Sequence, residues 1–198
     1  PFGTAQEIEI GMGLARAPRV SYVGELGWEI YVSAEMAAHV FDTLWTAGQD
    51  MGLKLCGMHM MDCARSEKAF RHFGHDITCE DHVLEAGLGF AVATSKPEFI
   101  GREAVLAKKE SGLEKRLVQF RLTDPEPLLY HNEPVLRDGE IVGYLSSGNY
   151  GHHLGAAIGL GYVPCPAENP SQVLASTYEI EIVNRTFVDD CSAGTGTA

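Results

Sequence analysis

At 198 residues, 45% of them hydrophobic, the chain has the length and apolar content for one large or two small globular domains. No apolar run reaches the roughly 18 residues that a membrane-spanning helix needs, and a formal net charge of −12 with only 15 lysines and arginines disfavours a phosphate backbone as partner. Five cysteines without a CxxC pair form no disulfide framework and point to a reducing compartment, cytoplasmic or, in a eukaryote, the mitochondrial matrix.

The sequence opens at Pro1 in what already reads as folded material, with neither an initiator Met nor a signal-like segment, so it is expected to be a piece of a longer protein. Residues 6–12 read as a strand. In residues 19–33, Val20 and Tyr22 and then Trp28, Ile30 and Val32 alternate with polar neighbours. That pattern predicts a strand pair joined at a turn, where Gly24 and Gly27 supply a permissive backbone and Glu25 is presented outward. A solvated turn acid is the plainer reading of the same residues.

From Glu35 the apolar residues Met36, Val40, Phe41, Leu44 and Trp45 recur at helical spacing, and the helix is expected to end at a glycine cap, Gly48. A second helix is predicted over about 58–70, with Asp62, Arg65 and Lys68 three apart on it. A third short helix follows Gly101. After about residue 112 the character changes to short strands: 115–122, 133–145 with Arg137-Asp-Gly-Glu140 as a hairpin turn, 156–163, and 177–188 with a turn at Asn184-Arg185. Such strands suggest a small antiparallel barrel or sandwich. The tail from Ser192 to Ala198 is low in complexity and is expected to fray.

Four ordered segments carry a resemblance: Tyr22-Val-Gly-Glu25; Arg65-Ser-Glu-Lys68; Leu84-Glu-Ala-Gly-Leu88; and Phe99-Ile-Gly-Arg102. In order and spacing they resemble the glycine-cleavage T-protein (aminomethyltransferase) family. Arg71-His-Phe-Gly-His-Asp-Ile77, Arg116-Leu-Val-Gln-Phe120, His131-Asn-Glu-Pro134 and Gly148-Asn-Tyr-Gly151 are most similar to the folate-binding C-terminal half of FAD-dependent dimethylglycine and sarcosine dehydrogenases. The resemblance implies an α+β chain: the C-terminal part of a T-protein-like folate-binding unit over residues 1–111, then an antiparallel β-barrel over 112–198.

The resemblance also implies a chemistry, one-carbon transfer to tetrahydrofolate from a small methylated amine. FAD would be held by a domain of the same parent chain that precedes Pro1, since no glycine-rich dinucleotide fingerprint follows a strand here. Glu25 is the residue assigned to the pterin, whose ring N–H and exocyclic amine a carboxylate can accept together. Arg65 is the second assigned residue, binding the ligand or orienting a carboxylate through its rigid fork. A salt bridge to Asp62 or Glu67 is its local alternative. Tyr22 is a third, packing on the ligand or simply on the rim of the fold. The family's key aspartate belongs to the part before Pro1, so no catalytic residue is assigned. The chain departs from the family at Ala64, Ser66 and Ala69, where leucine, leucine and glycine are usual, which is expected to loosen packing under Arg65. It departs again after Val188, which leaves the terminal barrel strand open.

His72, His75, Cys79 and His82 carry zinc-type donors, but their spacing matches no standard motif, and no metal is assigned. A regulatory subunit of the same architecture, a free-standing aminomethyltransferase and a folate-dependent demethylase remain as alternatives. An incomplete domain with exposed apolar surface could also associate with a copy of itself.

Overall fold

The computed structural model describes residues 1–166, 171–183 and 185–192. The chain divides into two compact units, Pro1–Met61 and Asp62–Ala198.

The first unit is built on a hairpin of β1 (Ala5–Ile10) and β2 (Gly13–Pro18), in register from Ala5 opposite Pro18 to Ile10 opposite Gly13. One face of β2 is buried at Gly13, Ala15 and Ala17 while Leu14 and Arg16 face out, the period-two pattern of a one-sided sheet. The helix α1 (Ala37–Gly48) lays Val40 on Ile10 and Ala15, with Ile8, Val32 and Met36 at the edge of the cluster. Here the expected glycine cap shifts. Gly48 is the last helical residue, and a Cβ there would meet Leu53 Cδ2 at 2.5 Å, whereas the left-handed cap is Gly52 at φ 77° after a 3-10 turn.

The predicted strand pair around Glu25 does not form. Residues 19–30 run as bends and coil, and the pairing that exists is one bridge between Arg16 and Tyr31, each amide donating to the other's carbonyl at 2.9 Å. The Glu29 amide then donates to the Pro18 carbonyl at 3.2 Å. Pro18 has no N–H to return the bond, so the ladder cannot extend. The alternation of Trp28, Ile30 and Val32 thus pairs, as far as it pairs at all, with β2.

The second unit begins on α2 (Met58–Glu67) and continues through α3 (Arg102–Ser111) into the barrel. The helix α2 stops three residues short of the expected end, in a Schellman motif: the Phe70 amide donates to Arg65 O at 2.9 Å and the Ala69 amide to Ser66 O at 3.0 Å. Ala69 takes the left-handed position at φ 53°, where glycine is the usual residue, and its buried methyl packs on Leu117 and Leu160.

The barrel strands are β3 (Lys115–Leu122), β4 (Pro134–Arg137), β5 (Glu140–Gly151), β6 (Ala156–Pro164), β7 (Tyr178–Ile182) and β8 (Arg185–Ser192), with a one-turn helix α4 (Gln172–Ala175) before β7. Their order is β3-β6-β5-β4-β7-β8, all antiparallel, and β8 returns to β3 to close the ring. The β4–β5 turn is the Asp138-Gly139 pair at φ 55° and 83°, both left-handed as a two-residue hairpin requires. β7 and β8 pair down to Ile182 opposite Arg185, and β8 runs through Ser192, past the Val188 at which the sequence pattern became uninformative. Ser192, the first residue of the tail expected to fray, is instead the last of β8; Asn184 and residues 193–198 lie outside the described residues. The core gathers Val118, Phe120, Leu122, Val135, Leu145 and Ile180, with Phe120 edge-on to Tyr178 at 5.4 Å.

Glu85, buried, and Asp81, largely so, tie residues 78–88 to α3 and to the start of β3. Glu85 takes Lys108 Nζ at 2.9 Å and the Glu114 amide at 3.0 Å, and Asp81 takes Lys115 Nζ at 2.6 Å. For both, burial is the largest single influence and favours the neutral acid, but hydrogen bonds from lysine and backbone together outweigh it, so both titrate below their usual range. A depressed folded-state pKa gives stability that is present above the unfolded value of about 4 and lost as pH falls through the folded value. Glu85→Gln is therefore expected to lower stability at pH 7 and to give a shallower loss between about pH 5 and 2 than the parent shows, measured by urea unfolding across that range. Packing makes a second prediction. A Cβ on Gly143 would meet Tyr162 O at 2.3 Å, backbone that cannot swing away, whereas one on Gly57 meets nothing. Gly143→Ala should cost about 1–3 kcal/mol in the same assay and Gly57→Ala less than about 0.5.

Candidate functional site

Glu25 and Tyr22 lie in the first unit and Arg65 in the second. Glu25 is exposed, flanked by exposed Gly24 and Leu26, at the outer part of the loop between Pro18 and Glu29; Gly24 supplies the left-handed turn at φ 72°. The loop is held at its base and across its middle. At the base, Arg19 is fixed by its amide to Thr4 O at 2.7 Å and by its carbonyl to the Gly3 amide at 3.0 Å. Across the middle, Arg19 Nη1 donates to Gly27 O at 3.0 Å while the guanidinium lies 5.1 Å from the centre of the Trp28 ring. Tyr22 is half-buried within the same loop. Beside the loop a hollow of about 520 Å³ opens over the sheet face, lined by Ile8, Ile10, Arg19, Trp28, Ile30 and Leu44 among others.

Arg65 occupies a different kind of place. It is 1% exposed, and its Nε and Nη2 contact Asp62 Oδ1 at 2.6 and 2.5 Å, its Nη1 donates to Asp76 Oδ2 at 2.6 Å and to Phe70 O at 3.1 Å, and its Nη2 donates to Ser147 Oγ at 2.9 Å. These contacts match the five N–H groups of a guanidinium in number. The salt bridge to Asp62 foreseen from their spacing is present, but it is one part of a larger buried network.

Asp76 is the other half of that network. Its carboxylate is fully buried, accepting Arg65 and the His72 amide on Oδ2 and the Ser146 hydroxyl, at 2.5 Å, on Oδ1. Ser146 and Ser147 are neighbours and should face opposite sides of β5. The register shifts between Leu145 and Ser147, a bulge, and so both hydroxyls reach the ion pair. Asn149 completes the set, donating to Ser66 Oγ at 2.9 Å and to Asp62 Oδ2 at 3.3 Å. The family departures at Ser66 and Ala69 are thus absorbed by a hydrogen bond and by apolar contact, and Arg65 is sealed, not loosened. Asp62 keeps an outward edge, its side chain 37% exposed.

The sequence pointed to Arg65 but not to Asp76, Ser146, Ser147, Asn149 or Arg19. The one available signal for Asp76 was its place in the Arg71–Ile77 motif. Of the zinc-type donors, the His72 and His75 rings lie tilted at 42° with centres 4.5 Å apart, and His82 Nδ1 accepts the Leu84 amide at 3.1 Å; among the described residues no three metal-binding side chains converge.

A buried charge deprived of its counter-ion is far more costly than an exposed one. Asp76→Asn is expected to cost about 3–5 kcal/mol in urea unfolding, and Asp62→Asn, at the wet edge of the same arginine, about 1 kcal/mol or less. A reversed order would show that Asp76 is not the partner that Arg65 depends on.

Comparisons with known proteins agree with this architecture. The model of the GCVT N-terminal domain matches residues 1–96, and that of the glycine cleavage T-protein C-terminal barrel domain matches residues 115–189. A 4-methylaminobutanoate oxidase (formaldehyde-forming) of Paenarthrobacter nicotinovorans is 45% identical over 91% of this chain, human mitochondrial dimethylglycine dehydrogenase 35% over 86%, and an aminomethyltransferase of Halothermothrix orenii 39% over 78%. The chain spans 21%, 19% and 43% of those relatives respectively. The crystal structure of aminomethyltransferase T of the glycine cleavage system from Bartonella henselae superposes with a TM-score of 0.80 over 98% of this chain and 52% of its own, at 21% identity, a likeness of fold.

Proposed function

This chain belongs to the glycine cleavage T-protein family, and we propose that it is the tetrahydrofolate-binding, one-carbon-transfer portion of an FAD-dependent oxidoreductase that acts on a small N-methylated amine. The observation that carries the reading is Glu25 itself, an exposed carboxylate on a loop tied down on both sides. The likeness to a methylaminobutanoate oxidase and to dimethylglycine dehydrogenase supports the amine branch over a free-standing aminomethyltransferase. On this reading residues 1–111 are the end of the folate-binding domain and 112–198 its barrel, with the flavin held elsewhere in a longer chain.

Tetrahydrofolate, when bound, supplies the nucleophilic nitrogens that take up the one-carbon unit. The part of this chain is to hold and orient it. Glu25 accepts the ring N–H and the exocyclic amine of the pterin, a planar pair that a carboxylate meets with both oxygens. Tyr22, half-buried in the same loop, offers a ring edge to the flat ligand. Arg65, which the family resemblance assigns to the same ligand, has its donors taken up within the second unit, where it fixes Asp62, Asp76 and the β5 bulge. Holding the folate in place before the electrophile arrives supplies the main kinetic advantage, since it turns an encounter between two small molecules into a reaction within one complex.

Calorimetric titration of 5-formyltetrahydrofolate into the full natural protein tests this. Glu25→Gln keeps the shape but loses one acceptor and the charge, and should weaken binding about 10- to 100-fold. Equal affinity in the two proteins would remove the pterin role from Glu25.

A further inference from the structure

We propose that Arg19 is the positioning residue that holds the Glu25 loop in its ligand-ready form. The inference rests on the reading of Glu25 as the ligand carboxylate, and the loop's own geometry carries it. Residues 19–29 form an excursion whose base is closed by the Glu29 amide on Pro18 O and by the Arg16–Tyr31 bridge just behind it. Nothing regular spans the excursion itself. A side-chain contact crosses it, Arg19 Nη1 on Gly27 O, and encloses Glu25 in a smaller loop.

Three features make this contact a strut. Its origin is fixed, because the Arg19 amide and carbonyl are both bonded to the 3–4 segment, as an extension of the β1–β2 ladder. Its far end is prepared, because Gly27 packs closely on Ser21: a Cβ there would lie 3.2 Å from Ser21 Cβ, tighter than an ordinary contact, so the two sides of the loop lie close together. Its middle is supported, because the guanidinium carbon lies over the Trp28 ring, 5.1 Å from its centre, a cation–π contact that favours this placement of the side chain. A loop crossed this way has fewer conformations to lose on binding, so less of the ligand's binding free energy is spent on ordering it. Arg19 acts through Glu25 and has no need to touch the ligand.

The test is a double-mutant cycle in the full natural protein, with 5-formyltetrahydrofolate as the probe, joined to hydrogen exchange of the loop amides in the ligand-free state. Arg19→Met should weaken binding about tenfold, the scale of one charge-assisted hydrogen bond, and should add nothing in the Glu25→Gln background. Arg19→Lys, which can still donate to Gly27 O but makes a weaker contact with Trp28, should recover part of the loss. Amides of residues 20–28 should exchange several-fold faster in Arg19→Met, with those of β1 and β2 unchanged. An equal loss in both backgrounds would make Arg19 a direct ligand contact and overturn the proposal, as would unchanged affinity. If Glu25→Gln binds as well as the parent, the folate reading fails instead. Loop exchange then decides the strut on its own: faster exchange supports it and unchanged exchange rejects it.

Discussion

The pair of hydrogen bonds between Arg16 and Tyr31 is the contact from which the functional reading follows. It joins the chain after the loop to the edge of β2, and with the Glu29 amide on Pro18 O it fixes where the loop leaves and where it returns. A carboxylate can recognise a flat edge of two donors only if its own direction is settled beforehand, since an untethered acid would spend binding free energy on becoming ordered. Pro18 shapes the same feature by default. Having no amide hydrogen, it ends the ladder and frees the next residues to leave the sheet as a loop.

The second unit solves a different problem, the cost of a charge inside protein. Arg65 is buried with Asp76, and neither would be tolerated there alone. The remaining hydrogen-bonding capacity of the pair is met by Asp62, Phe70 O, the His72 amide and two serines that a β-bulge turns the same way. Helix α2, the turn around Asp76 and strand β5 are thereby tied at one point, and the Schellman ending of α2 delivers the Phe70 carbonyl to it. The strained Ala69 is held in its left-handed conformation by the apolar contact of its methyl with Leu117 and Leu160.

Much of this was legible in the sequence where the signal is local. The amphipathic run of α1, the third helix after Gly101, strand β3 and the Asp138-Gly139 hairpin are set by periodicity and turn chemistry, and they stand where those rules put them. The loop around Glu25 was misread for an instructive reason. Its apolar alternation is real, but Tyr31 found its partner in β2, and period-two patterning says which face a residue takes without saying which strand lies beside it. Gly48 was misassigned in a similar way, because a glycine needed for close approach to Leu53 looks in sequence like a glycine needed for a positive φ. The partners of Arg65 divide along the same line. Asp62 is three residues away and was visible as a helix pair; Ser147 is 82 residues away and reaches the site through a bulge that no local pattern marks.

The central claim is that one carboxylate on a braced loop grips the pterin head. It is tested most directly by a crystal structure of the full natural protein with 5-formyltetrahydrofolate bound. The account predicts both Glu25 oxygens at about 2.7–3.0 Å from the pterin ring nitrogen and its exocyclic amine, with Arg19 still bonded to Gly27 O. A pterin held by other residues, with Glu25 turned to solvent, would contradict it.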